Sequence, residues 1–110
     1  MQISTTKKER GILMALAGRM DTVAAPQFQE ACDPFLREGA TAIVVDLTQL
    51  EYISSMGLGY LLNVNKKLQG AGGKLVICGL SGLVKEVFRL SGFNKLFPTY
   101  DTADAAFEKL

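Results

Sequence analysis

The run TAIVVDLTQLEYISSMGLGYLLNVNKKLQGAGG, residues 41–73, changes its hydrophobic period partway along, and that change decides the fold. Thr41 to Leu47 is β-branched and nearly continuous in apolar character, the pattern of a strand buried on both faces and therefore central in its sheet. Thr48 to Ser54 reads as a short turn region. Beyond it Leu58, Leu61, Leu62 and Leu68 are spaced for one helical face, and the glycine-rich GAGG at 70–73 closes that helix. A doubly buried strand followed at once by a helix predicts a parallel sheet covered by helices.

On the amino side, Gln2 to Thr6 and Gly11 to Ala17 read as two strands joined by the charged KKER turn, which makes a hairpin. After Gly18, Asp21 and Thr22 offer helix caps, and Phe28, Ala31, Cys32, Phe35 and Leu36 recur on one helical stripe that Gly39 ends. Pro34 lies inside that stretch and predicts a kink or an early end. On the carboxyl side, Lys74 to Gly79 is a strand. Ser81 caps a helix carrying Leu83, Val84, Val87 and Phe88, and Gly92 stops it. Leu96 and Phe97 suggest a short extended piece, after which Asp101 or Thr102 opens a last helix with Ala103, Ala106, Phe107 and Leu110 on one stripe. The order ββαβαβα(β)α gives an α/β fold. It consists of one mixed sheet, an initial hairpin followed by largely parallel strands, with about four helices packed on it and residues 1–110 forming one domain.

Composition excludes several classes of function. Lys and Arg number 12 against 11 Asp and Glu, so the net charge of +1 draws the chain to neither nucleic acid nor an anionic membrane surface. There is no histidine, which removes Ser-His-Asp and Cys-His catalysis and the HExxH zinc site together. Cys32 and Cys78 are too few for a four-thiolate metal site and read as buried, reduced thiols of a cytoplasmic protein. The N-terminus lacks the apolar core of a secretory signal, and the longest uncharged run, Tyr52 to Asn65, is too short and polar to span a membrane. No cofactor or metal is expected, and with no heptad repeat the chain is expected to be a monomer.

Three glycine motifs fail on inspection. Leu68 and Leu75 stand where a phosphate-binding P-loop needs Gly and Ser or Thr, and Leu62 stands where a dinucleotide fingerprint needs its third Gly. Ile53 stands where a nucleophile elbow needs its first Gly, so Ser55 has neither the strained turn nor a base. Asp21, Asp46 and Glu51 are scattered carboxylates that read as caps and solvated groups. What remains is Tyr52 to Gly59, in which Ser54 and Ser55 stand at a loop-to-helix junction. One of them can cap the helix, and a phosphate placed there would be tolerated by the positive helix end while changing the charge of the surface.

The segment IVVDLTQLEYISSMGLG, residues 43–59, resembles the signature of STAS domains, the family of sulfate transporters and anti-sigma factor antagonists. GRMD at 18–21, KLVICG at 74–79 and VFRLSGFNKLF at 87–97 extend the resemblance over essentially the whole chain. The resemblance implies a non-enzymatic switch in which an ATP-dependent anti-sigma factor that is also a serine kinase phosphorylates Ser55. It implies that the unmodified form binds this kinase, that the phosphorylated form releases it, and that a PP2C-type phosphatase resets the site. The implied contact residues are Asp21, Thr22, Ser54, Ser55, Met56, Gly57 and Leu58. Ser54 replaces the Asp that many antagonists carry before the phosphorylated serine, and Met56 replaces a small or hydroxyl residue, adding apolar area at the expected contact. The alternatives are a STAS scaffold or transporter-complex module without phospho-control and, less favoured by the failed glycine motifs, a nucleotide-binding α/β domain.

Overall fold

The computed structural model describes residues 1–110. Strands β1 (Gln2–Lys7) and β2 (Ile12–Met20) form the predicted antiparallel hairpin. Helix α1 (Ala25–Arg37) leads to β3 (Ala42–Ile53), α2 (Ser55–Gly70) to β4 (Lys74–Cys78), and α3 (Gly82–Ser91) with a 3-10 turn at Phe93–Lys95 to the short β5 (Thr99–Tyr100). Helix α4 (Ala103–Glu108) ends the chain. The strands lie in sequence order in one five-stranded sheet, with every pairing after the hairpin parallel. The expected fold class and element order are borne out.

Right-handed crossovers between sequential neighbouring strands put all the connecting helices on one face. Ile12, Met14, Leu16, Ile43, Val45, Leu47, Leu75 and Ile77 turn to that face and form one core with Phe28, Leu61, Leu68 and Phe88. The alternate strand residues Val44, Val76 and Cys78 meet Ala106 of α4 on the other. Helix α4 packs chiefly on β3, β4 and β5, and the hairpin strand β1 keeps most of its residues exposed.

The structure corrects several local expectations, including that of Ser81, which takes the cap position of α3 without a side-chain cap bond. Thr48 to Ile53 is not a turn but the second half of β3, paired with β2 through Met20. Two register shifts each give β3 an extra residue, so the buried positions there are Leu47, Leu50 and Ile53, three apart, and the alternation that marks a strand is lost. Pro34 does not end α1, which continues to Arg37. Only the last turn lies beyond the proline, and Phe35 and Leu36 there pack against the core. Leu83 is 58% exposed instead of lying on the buried stripe of α3 with Val84 and Phe88. The extended piece falls at Thr99–Tyr100, after Leu96 and Phe97.

Candidate functional site

Strands β2 and β3 run side by side to the same end of the sheet, where Met20 and Ile53 are register partners. The next residues in chain order are Asp21 and Ser54, so the fold brings together both segments singled out in the sequence. The backbone N–H of Ser54 donates to the Met20 carbonyl at 2.9 Å, fixing the start of α2 against the end of β2.

Ser54 occupies the N-cap position in extended conformation, and its hydroxyl oxygen accepts the backbone N–H of Gly57 at 3.1 Å. It is only 8% exposed. Ser55, the first residue of α2, is exposed, and Met56 beside it is 47% exposed. The cap role therefore belongs to Ser54, while the accessible hydroxyl at the positive end of the helix is that of Ser55. No acidic residue stands in the first turn of α2 to neutralise that end.

Asp21 and Thr22 do not cap α1, as the spacing suggested. That helix starts at Ala25 with Ala24 in the cap position and no side-chain cap, and Pro26 supports its first turn. The Asp21 carboxylate accepts the Ala24 N–H at 2.8 Å and so organises the turn ahead of the helix, which leaves Thr22 exposed and Val23 85% exposed. Gly57 and Leu58, expected at the contact, are buried. A Cβ on Gly57 would stand 2.9 Å from Ile53 Cγ1 and 3.1 Å from Met20 Sδ, and Leu58 belongs to the core. Of the expected contact residues, Thr22, Ser55 and Met56 present exposed side chains, Asp21 is partly exposed, and Ser54, Gly57 and Leu58 hold the site from beneath.

Sequence reasoning missed two further features of this rim. Val23 and Leu83 are exposed apolar residues that join Met56, which the sequence had singled out, on the three successive connections that leave the carboxyl ends of β2, β3 and β4. Arg19 and Tyr52, register partners at the end of the same strands, stack with the guanidinium carbon 4.3 Å from the ring centroid.

Both cysteines are free and buried; burial pushes each thiol up to about 12, with Asp33 adding to the effect at Cys32 and Asp46 at Cys78. No three His, Cys, Asp or Glu side chains converge as a metal site would require. A cleft of about 600 Å³ lined by Lys8, Glu9, Arg10, Asp104, Phe107 and Glu108 lies at the hairpin end of the sheet, opposite Ser55. No helix is long and apolar enough to cross a membrane.

Comparison with known proteins adds a second line of argument. The STAS domain family model matches residues 2–106. A Bordetella bronchiseptica protein provisionally named as an anti-sigma factor antagonist, BtrV, is 35% identical across 96% of this chain and 91% of its own length. The anti-sigma-B factor antagonist of Listeria monocytogenes is 31% identical over 87% of each chain. Among solved structures, an anti-sigma factor antagonist from Mycobacterium paratuberculosis superposes with a TM-score of 0.88 at 25% identity, covering 98% of this chain and 92% of that one.

Proposed function

The chain belongs to the STAS domain family, and from that membership we propose that it is an anti-sigma factor antagonist switched by phosphorylation of Ser55. In this reading the unmodified protein docks an anti-sigma factor that is also an ATP-dependent serine kinase, which frees a sigma factor. The kinase then phosphorylates Ser55 and is released, and a PP2C-type phosphatase restores the binding form. The protein acts by binding, as a monomer in the cytoplasm, and catalyses nothing itself.

The observation that carries this reading is the division of labour between the two serines. Ser54 is buried and hydrogen-bonded, whereas Ser55 is exposed on the first turn of a helix. A phosphate on Ser55 would add about −1.5 to −2 charges where the helix end favours an anion, so the fold would survive modification. The same charge pressed into a contact with no cation to receive it would cost several kcal/mol. About 2.7 kcal/mol suffices for a hundredfold loss of affinity. The exposed apolar side chains of Val23, Met56 and Leu83 suit the contact that such a charge would disrupt.

Incubation with the kinase and labelled ATP, followed by mass-spectrometric mapping, tests the assignment. Phosphate should appear on Ser55, and Ser55→Ala should abolish incorporation while still binding. Incorporation on Ser54, or undiminished labelling of Ser55→Ala, contradicts it. Binding with no incorporation at all would favour a scaffold module instead.

A further inference from the structure

Arg19 occupies a position from which its charge acts outside the molecule. It is exposed, its guanidinium forms no ion pair or hydrogen bond with another residue, and the ring of Tyr52 braces it at 4.3 Å. Such a stack orients a guanidinium without neutralising it, leaving its fork of N–H donors free. Neither Asp21, whose carboxylate accepts the Ala24 N–H, nor the exposed Glu51 pairs with it. Met20 and Ile53, which follow Arg19 and Tyr52, are buried on the helical face, so the stacked pair projects on the opposite face at the carboxyl rim. Short side chains such as Ser4, Ala15 and Ala17 leave the β2 side of that face open. The pair adjoins the candidate phosphorylation site through its neighbours, since the Met20 carbonyl accepts the Ser54 N–H at 2.9 Å.

We infer that Arg19, held by Tyr52, is a specificity-determining contact that reads an Asp or Glu side chain on the protein docking over Ser55. The inference rests on the docking role proposed above and adds its charge requirement. A preorganised guanidinium binds a carboxylate through two parallel hydrogen bonds, and a positive charge at the edge of a contact speeds encounter with an acidic partner. A partner with a basic residue at the matching position is rejected by like-charge repulsion.

The test is binding kinetics against the anti-sigma kinase that labels Ser55, for the wild type, Arg19→Glu, Arg19→Lys and Tyr52→Leu, at low and high ionic strength. Arg19→Glu should slow association by about tenfold or more at low salt, and the gap should shrink to within about twofold at high salt. Arg19→Lys should associate like wild type but dissociate faster, because an ammonium lacks the fork, and Tyr52→Leu should also dissociate faster. Association of Arg19→Glu at the wild-type rate, a loss that ignores salt, or a loss matched by a lowered Tm would each overturn the inference. Failure of the wild-type protein itself to bind would overturn the docking role as well, so the two failures are distinguishable.

Discussion

The hydroxyl oxygen of Ser54 accepts the backbone N–H of Gly57 at 3.1 Å, and this one bond gives two adjacent serines different physical roles. Removing it should cost stability and little else. Ser54→Ala is expected to destabilise the fold by about 1 kcal/mol, and Ser55→Ala by no more than about 0.5 kcal/mol. Chemical denaturation of both variants checks this, and equal losses would remove the distinction between cap and modification site.

Gly57 and Gly59 lie on the same helix but should respond oppositely to alanine. A Cβ on Gly57 would meet Ile53 and Met20, both buried, at 2.9 and 3.1 Å. Overpacking of this kind costs about 1–3 kcal/mol. Nothing lies within 4 Å of the Cβ position of Gly59, so Gly59→Ala should stabilise the protein by about 0.5–1 kcal/mol through helix propensity. Thermal unfolding of the pair decides it, and a stable Gly57→Ala would show that α2 does not sit as closely on the strand ends as described.

Asn65 is 4% exposed in the middle of α2, where its side-chain oxygen accepts the Leu75 N–H at 3.1 Å and ties that helix to β4. Asn65→Leu would bury an unsatisfied N–H, with an expected loss of about 1–3 kcal/mol. Early loss of amide protection at Leu75 in hydrogen exchange would locate the damage, and normal protection there would contradict the role given to Asn65.

The two thiols should be inert in the folded protein. Burial pushes Cys32 and Cys78 up to about 12, so at pH 8 neither is a thiolate. An aromatic disulfide reagent should modify neither cysteine natively and both in denaturant. Unfolded thiols ionise near pH 8.5. Their contribution to stability is therefore complete below that pH and is lost as pH rises toward 12, by up to about 1.4 kcal/mol per pH unit for each thiol. Fast native labelling would place a thiol nearer the surface than the packing allows.

Met56 and Val23 should contribute to binding without contributing to the fold. Each is exposed, so Met56→Ser and Val23→Ser should leave Tm nearly unchanged while weakening partner affinity by about fivefold to tenfold, a loss of about 1–1.4 kcal/mol. Unchanged affinity in both would move the contact elsewhere on the surface.

The sheet and its helices were legible because Ile43 to Val45 cannot face water on either side and because the leucines of α2 keep one helical face. The second half of β3 was not, since two bulges turn its alternation into a spacing of three that matches no regular element. The roles of Ser54 and Ser55 could not be divided either. Both residues suit a cap, and only the backbone angles at Ser54 and its bond to Gly57 choose between them. Leu58, read both on the apolar face of α2 and at the contact, lies in the core, because a helix that starts at Ser55 turns its fourth residue inward. Arg19 escaped notice for a different reason. Its meaning depends on Tyr52, a residue distant in the chain that parallel pairing brings alongside.

Affinity of the proposed anti-sigma kinase partner for the protein with and without phosphate on Ser55, measured by calorimetry on the same preparation, bears most directly on the proposed switch. Tight binding of the unmodified protein and at least a hundredfold weaker binding of the phosphorylated form, with unchanged Tm, is the expected result. Equal affinities for the two forms would contradict it.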